Sequence, residues 1–246
     1  MSDSDWLKRG ERIDDLQREG FRLIQDPDMF CFGIDAVLLA DFAKADRNSK
    51  VLDLCTGNGV IPVLMLSRKK GYVYKAIEIQ EASADIARRN VKVNGLEDRL
   101  EIICGDIKNV PELVGRDTFD VVTCNPPYML SGGGIPNPED AKALARHEIL
   151  CNFDDVARAA SQALKVGGKL YLVHRTRRLS EIFDSLRRHK LEPKKIRMVH
   201  SFADKPAVMI LIEASKAGGV ELIVEPPLII YKSNGIYTDE VMKIYC

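Results

Sequence analysis

Between about residues 50 and 214, short β-branched apolar runs alternate with longer stretches in which apolar residues recur every three or four positions. The runs at 50–54, 71–77, 100–104, 119–124, 169–174, 194–200 and 208–214 predict seven strands. The stretches 61–70, 81–94, 153–164 and 180–190 predict helices that cross between strands. Strands joined by crossover helices run parallel, so the first five strands are expected to be parallel. Only Ser201-Phe-Ala-Asp-Lys-Pro206 separates the last two runs, too little for a crossover, which predicts a hairpin-like connection and a reversed final strand. The expected fold is α/β: a Rossmann-like open seven-stranded sheet, mostly parallel with an antiparallel last strand, with helices on both faces.

Ahead of the first strand lie two apolar stretches, 21–24 and 29–32, and a helix-like segment 35–43 in which Asp35 reads as the N-cap. After Ala217-Gly-Gly219, the run 221–231 contains Pro226-Pro227 and is expected to form an edge strand or an extended cover. The whole chain, 1–246, reads as one domain, with 1–48 an extension covering the ligand site, 49–214 the catalytic core and 215–246 a C-terminal extension.

Composition narrows the classes. At 246 residues, 46% hydrophobic and 29% charged, the chain suits a folded enzyme rather than a disordered or fibrous protein. Thirty-six Lys and Arg balance thirty-six Asp and Glu, which argues against a non-specific nucleic-acid coat. The start Met1-Ser-Asp-Ser-Asp-Trp6 carries no secretory pattern and no apolar run reaches membrane-spanning length, so the expected location is cytoplasmic, with no membrane partner. Cys31, Cys55, Cys104, Cys124, Cys151 and Cys246 show no Cys-x-x-Cys spacing and are read as reduced core residues, not metal ligands. His174, His189 and His200 share no metal or triad spacing, and no metal is expected.

The chemistry gathers where strands end. In Val51-Leu-Asp-Leu-Cys-Thr-Gly-Asn-Gly-Val-Ile-Pro62 a strand bearing Asp53 enters a Gly57-x-Gly59 turn before a helix, and Pro62 replaces the third glycine of a dinucleotide fingerprint. A ligand-facing Asp53 would repel a diphosphate and suit a ligand carrying an ammonium and a sulfonium. The second strand ends at Glu78, placed to accept both hydroxyls of a ribose, and the third runs into Gly105-Asp106-Ile107, where an acid and a backbone N–H can meet an adenine edge. The fourth ends in Asn125-Pro-Pro-Tyr128. Two prolines stiffen this turn, so the Asn125 side-chain oxygen and the Pro126 carbonyl can each accept one hydrogen of a planar –NH₂ while Tyr128 stacks on the attached ring.

These residues resemble the class I S-adenosylmethionine-dependent methyltransferases that modify exocyclic amino groups. The stretch 30–42, Ala145-Arg-His-Glu148 and Glu225-Pro-Pro-Leu-Ile-Ile-Tyr231 are similar to the bacterial branch that methylates the N6 amine of adenine 37 in a valine tRNA, although Ile34 stands where that branch carries Thr or Ser. The resemblance implies S-adenosyl-L-methionine as cofactor, held by Asp53, Thr56, Gly57, Gly59, Glu78, Ile79, Asp106, Ile107 and Asn125. It implies catalysis at Asn125, Pro126, Pro127 and Tyr128, with Tyr128, Arg146 and His147 toward a tRNA anticodon loop. Methylation of a release-factor glutamine or of a ribosomal RNA guanine, and plain RNA binding, are the alternatives.

Two further features bear on an RNA partner. Residues 165–205 hold twelve Lys and Arg against four acids, either a phosphate-binding face or a solvated one. Gly132-Gly-Gly134 ahead of Arg146-His147 reads as a hinged loop, and His147 either as a helix cap or as an RNA contact.

Overall fold

A computed structural model describes residues 6–29, 31–127 and 152–245. The chain opens with an antiparallel hairpin, β1 (Arg12–Asp15) and β2 (Arg22–Gln25), and a helix, α1 (Ile34–Phe42). The alternating core follows: β3 (Lys50–Leu54), α2 (Val60–Ser67), β4 (Val73–Glu78), α3 (Glu81–Val93), β5 (Leu100–Cys104), a 3-10 turn at Ile107–Asn109 leading into the short α4 (Val110–Val114), and β6 (Phe119–Cys124). After it come α5 (Phe153–Ala163), β7 (Leu164–His174), α6 (Leu179–Arg188), β8 (Leu191–His200) and β9 (Ala207–Lys216). The chain finishes with β10 (Ile223–Ile229), a small pair β11 (Tyr231–Ser233) and β12 (Ile236–Tyr237), and α7 (Asp239–Tyr245).

One sheet runs in the order β10-β8-β9-β7-β6-β3-β4-β5. Strands β3 to β7 are parallel, and β9 lies antiparallel between β7 and β8, as the short connection after β8 requires. The sheet has eight strands rather than seven, because the Pro226-Pro227 run pairs with β8 as an edge strand. Its register shifts between Glu225 and Leu228, a bulge that takes the two prolines, which lack N–H donors, out of the ladder.

Alternation along each strand feeds two cores. Val51, Tyr74, Val121, Tyr171 and Leu211 join α1, α2 and α7 on one face, whereas Leu52, Ile77, Val122, Leu170 and Ile212 join α5 and α6 on the other. Each such side chain, fully buried, contributes roughly 1.5–3 kcal/mol of apolar transfer, so a strand slipped by one residue would exchange the partners of both faces.

Several element ends differ from the periodicity. Helix α2 stops at Ser67 because Lys69 and Gly71 turn to φ +57° and +66°, and an added Cβ on Gly71 would meet the Tyr74 hydroxyl at 2.7 Å. Asp35 is not the N-cap of α1: Gly33 holds that position, and Asp35 lies one residue inside the helix. The C-terminal carbonyls of α1 are taken by the Lys70 ammonium, which donates to Ala40, Asp41 and Ala43 oxygens at 2.9, 2.6 and 2.8 Å. Helix α5 starts in a reciprocal cap, with the Asn152 side chain accepting from the Asp155 N–H and the Asp155 carboxylate from the Asn152 N–H.

The hairpin is fastened by two asparagines four residues apart, Asn90 in α3 and Asn94 at its C-cap. Asn94 exchanges bonds with the N–H and C=O of Arg22 at 2.8 and 2.7 Å, and fully buried Asn90 does the same with Ile24 at 2.6 and 3.2 Å. Their side-chain amides imitate a neighbouring strand. No helix among the described residues is long and apolar enough to cross a membrane.

Candidate active site

Four parallel strands, β5, β4, β3 and β6, deliver their carboxyl ends side by side, the edge at which open α/β sheets bind ligands. After β3 the chain turns through Cys55, Gly57 and Gly59 at φ +57°, +58° and +81°. Gly57 needs glycine for this backbone, and an added Cβ there would meet nothing within 4 Å, so the turn shows open backbone at the edge. Gly59, the N-cap of α2, needs glycine for its left-handed backbone, while an added Cβ would stand in ordinary contact with Ala87 of α3 at 3.4 Å.

Glu78 joins two ends. Its Oε2 accepts the Gly57 N–H at 2.8 Å and its Oε1 the Gln80 N–H at 2.9 Å, while second lone pairs on both oxygens remain for other donors. Next to it Ile79 is 39% exposed, an apolar surface at an otherwise polar edge. Asp106 caps the 3-10 turn after β5, accepting from the Lys108 N–H at 2.9 Å, and Ile107 beside it is buried.

Asp53 departs from the expectation that it faces a ligand. It is fully buried, and its oxygens accept from the Thr56 and Thr123 hydroxyls at 2.5 and 2.6 Å. Burial pushes its pKa up to about 7, with the two threonine bonds acting against that rise and the charge of Glu78 adding to it. The acid is thus a hub beneath the glycine turn, tying β3 to β6 rather than reaching into open space. Thr123 was not visible as a partner in the sequence, since nothing in a strand-interior threonine announces which side chain it meets.

The turn after β6 carries the sharpest feature. The Asn125 Nδ2 donates to Asp35 Oδ2 at 3.1 Å, and its Oδ1 is buried with no hydrogen-bond partner among the described residues. A buried carbonyl oxygen left unpaired costs on the order of 1–3 kcal/mol, so this acceptor calls for a donor from outside the described residues. Pro126 is buried and Pro127 half-buried beside it. Tyr128, Arg146, His147 and the Gly132-Gly-Gly134 segment lie outside the described residues.

The basic stretch 165–205 is scattered by the fold. Lys165, Lys169, Arg188, Lys195 and Arg197 pair with Asp120, Glu213, Asp154, Glu225 and Glu240, acids that lie outside the stretch, at 2.5 to 3.2 Å. This supports the solvated-face reading for most of it. Arg175, Arg177 and Arg178, after β7, and Lys205, between β8 and β9, share the carboxyl edge with Asn125. His174 is buried at the end of β7, edge-on to Phe153 at 5.7 Å, with its pKa depressed to about 4 chiefly by burial and then by the Arg178 charge. Of the cysteines, Cys124 is buried, whereas Cys31, Cys55 and Cys104 are half-buried thiols. Among the described residues no cluster of three or more His, Cys, Asp or Glu is arranged to hold a metal.

The strand order, the reversed β9 and the glycine turn below an acid-ended strand together define a Rossmann-like methyltransferase fold. The chain belongs to the methyltransferase small domain family, whose profile matches residues 20–190. It is 28% identical over 222 residues to a tRNA1(Val) (adenine(37)-N6)-methyltransferase of Porphyromonas gingivalis, covering 86% of each chain. An enzyme of the same name from Pedobacter heparinus is 27% identical over 206 residues, with 83% of this chain and 85% of that one covered. Among solved structures, a predicted O-methyltransferase from Agrobacterium tumefaciens superposes with a TM-score of 0.69 at 24% identity over 86% of this chain and 95% of the other. A geranyl diphosphate C-methyltransferase from Streptomyces coelicolor in complex with S-adenosyl-L-homocysteine gives a TM-score of 0.52 at 14% identity, over 74% and 77%.

Proposed function

We propose that the protein transfers a methyl group from S-adenosyl-L-methionine to the exocyclic N6 amine of an adenine in tRNA, with adenine 37 of a valine tRNA the expected target. The single observation that carries the reading is the buried Oδ1 of Asn125, without a hydrogen-bond partner among the described residues, in a turn stiffened by two prolines. The relatives quoted above favour tRNA adenine over a release-factor glutamine or a ribosomal guanine. Acting on tRNA, the protein would be cytoplasmic.

The residues present fit the cofactor. The open backbone at Gly57, the carboxylate of Glu78 with lone pairs to spare and the exposed apolar side chain of Ile79 suit a turn, a ribose and an adenine face in sequence along the edge. Asp106 and Ile107 would meet the adenine edge. Asp53 and Thr56 support the turn from below, and the hairpin and α1 of residues 1–48 would cover the site, since Asn90 joins Ile24 of the hairpin to the Asn58 carbonyl of the turn, the latter at 2.9 Å. When bound, the cofactor supplies an electrophilic methyl group on a sulfonium.

The protein supplies geometry and acceptors. An adenine amine shares its lone pair with the ring and is a poor nucleophile. Accepting its two hydrogens at Asn125 Oδ1 and the Pro126 carbonyl favours a pyramidal nitrogen and stabilises the positive charge that grows on it. No general base is needed before transfer, because the methylated nitrogen, then cationic and strongly acidic, gives up its extra proton to water afterwards; holding the amine in line with the methyl is worth up to about 7–11 kcal/mol in principle. Pro127 keeps the turn rigid, and Tyr128, Arg146 and His147 remain assigned to the unstacked base and its loop.

The test is transfer of labelled methyl to tRNA and to bulk protein, followed by digestion to nucleosides. N6-methyladenosine formed by wild type and lost in Asn125→Ala supports the reading. Label in protein, or in another nucleoside, overturns it.

A further inference from the structure

We propose that Asp35 is a positioning residue: it locks the Asn125 carboxamide in the orientation that presents its oxygen, not its nitrogen, to the amine. The inference rests on the amine-methylation reading above and adds to it a residue 90 positions away in sequence.

A carboxamide is nearly symmetric in shape but not in chemistry, since a half-turn about its last bond exchanges an acceptor for two donors. In the Asn-Pro-Pro turn that exchange would be fatal, because an N–H pointed at a substrate –NH₂ repels it. The turn alone does not choose between the two orientations. Asp35 does: its Oδ2 lies 3.1 Å from the Asn125 Nδ2 and can only accept, so the flipped amide would set two oxygens against each other. The released Oδ1 is the buried atom without a partner among the described residues. A hydrogen bond from the amide N–H to an anion also draws electron density toward the amide oxygen, which strengthens it as an acceptor for the charge that develops on the amine.

Asp35 is itself held. It is only 8% exposed, its Oδ1 accepts the Ala36 N–H at 2.9 Å, and Lys70 fixes the far end of its helix. Gly33 makes room for it, since an added Cβ there would stand 2.9 Å from Asp35 Oδ1. The carboxylate thus divides its oxygens, Oδ1 on a first-turn N–H of its own helix and Oδ2 on the Asn125 amide, and the first bond fixes the direction of the second.

The experiment compares Asp35→Asn, Asp35→Ala, Gly33→Ala and Asn125→Ala with wild type, using unmodified tRNA as substrate and S-adenosyl-L-homocysteine as the binding probe. Asp35→Ala should lower kcat about 10- to 100-fold with the KM for tRNA and the affinity for the probe within threefold, a split that mere loosening of the fold would not give. Asp35→Asn keeps an acceptor oxygen and should recover most of that loss; Gly33→Ala should fall between. In ¹⁵N-labelled protein, the Asn125 side-chain amide resonances should move in Asp35→Ala and return toward their wild-type position in Asp35→Asn, a readout independent of turnover. Unchanged kcat in Asp35→Ala, or unmoved Asn125 resonances, overturns the proposal. Equal turnover in wild type and Asn125→Ala overturns the amine reading, and this proposal with it, and is recognised without any Asp35 variant.

Discussion

Glu78 Oε2 accepts the Gly57 N–H at 2.8 Å, so the carboxylate at the end of β4 sets the shape of the turn after β3. One side chain both shapes the turn and keeps lone pairs able to accept from a ligand. Glu78→Gln replaces one of its two acceptor oxygens by a donor facing a backbone N–H. Binding of S-adenosyl-L-homocysteine, measured by calorimetry, should weaken about 10- to 100-fold, and the fold should lose about 1–2 kcal/mol, as for a charge-assisted bond to backbone. Unaltered affinity would exclude Glu78 from the cofactor site.

Asp53 and His174 give opposite pH dependences. The folded pKa of Asp53, about 7, is raised above its ordinary 3.8, so the native state holds a proton that the unfolded chain has released and stability falls as pH rises from about 4 to 7. His174, depressed to about 4 from 6.5, works the other way, and stability rises with pH from about 4 to 6.5. The two slopes offset each other in wild type. Urea midpoints between pH 4.5 and 7 should rise with pH in Asp53→Asn and fall in His174→Gln; slopes of the same sign in both variants would contradict the opposed burial effects.

Lys70 should matter more than a surface lysine. Its ammonium serves three carbonyls at the end of α1, and burial lowers its pKa to about 8. Lys70→Met keeps the aliphatic length and leaves those oxygens without their donor, for an expected loss of about 1–3 kcal/mol in urea unfolding at pH 7. A loss below a few tenths would mean that water serves the helix end as well.

Asn90 carries the hairpin and the glycine turn together. Asn90→Leu strips partners from the Ile24 N–H and C=O and from the Asn58 carbonyl inside the fold, with an expected cost of about 2–4 kcal/mol. Hydrogen exchange should show the Ile24 amide losing protection before the sheet strands do. Equal protection in both proteins would show that the β1–β2 pairing alone secures it.

Much of the scaffold is written in local periods. Short β-branched apolar runs identify β3 to β9, and repeats of three and four identify α2, α3, α5 and α6, because each element buries its own side chains against the sheet; α4, five residues long, is too short to show a period. Positions at strand ends were legible too: Gly57, Gly59, Glu78 and Asn125 owe their prominence to residue type and spacing. What the sequence could not show is which distant groups those side chains meet. Asp53 looked like a ligand contact and is turned onto Thr56 and Thr123, a choice made by tertiary packing. Asp35 looked like a helix cap, and only the approach of α1 to the end of β6 reveals its link to Asn125. The eighth strand was half-legible: two prolines argued for an edge, but only the bulge opposite Met198 explains how they join a ladder.

That outermost strand also governs how the molecule meets its own kind. A sheet ending in a straight, apolar β10 would offer its backbone as a template for another copy, and Ile223 and Val224 are indeed 53% and 62% exposed. Two consecutive residues without amide hydrogens interrupt that template in the middle. The same Pro226-Pro227 step that bulges the β8 ladder therefore breaks the row of donors that strand addition would need along β10.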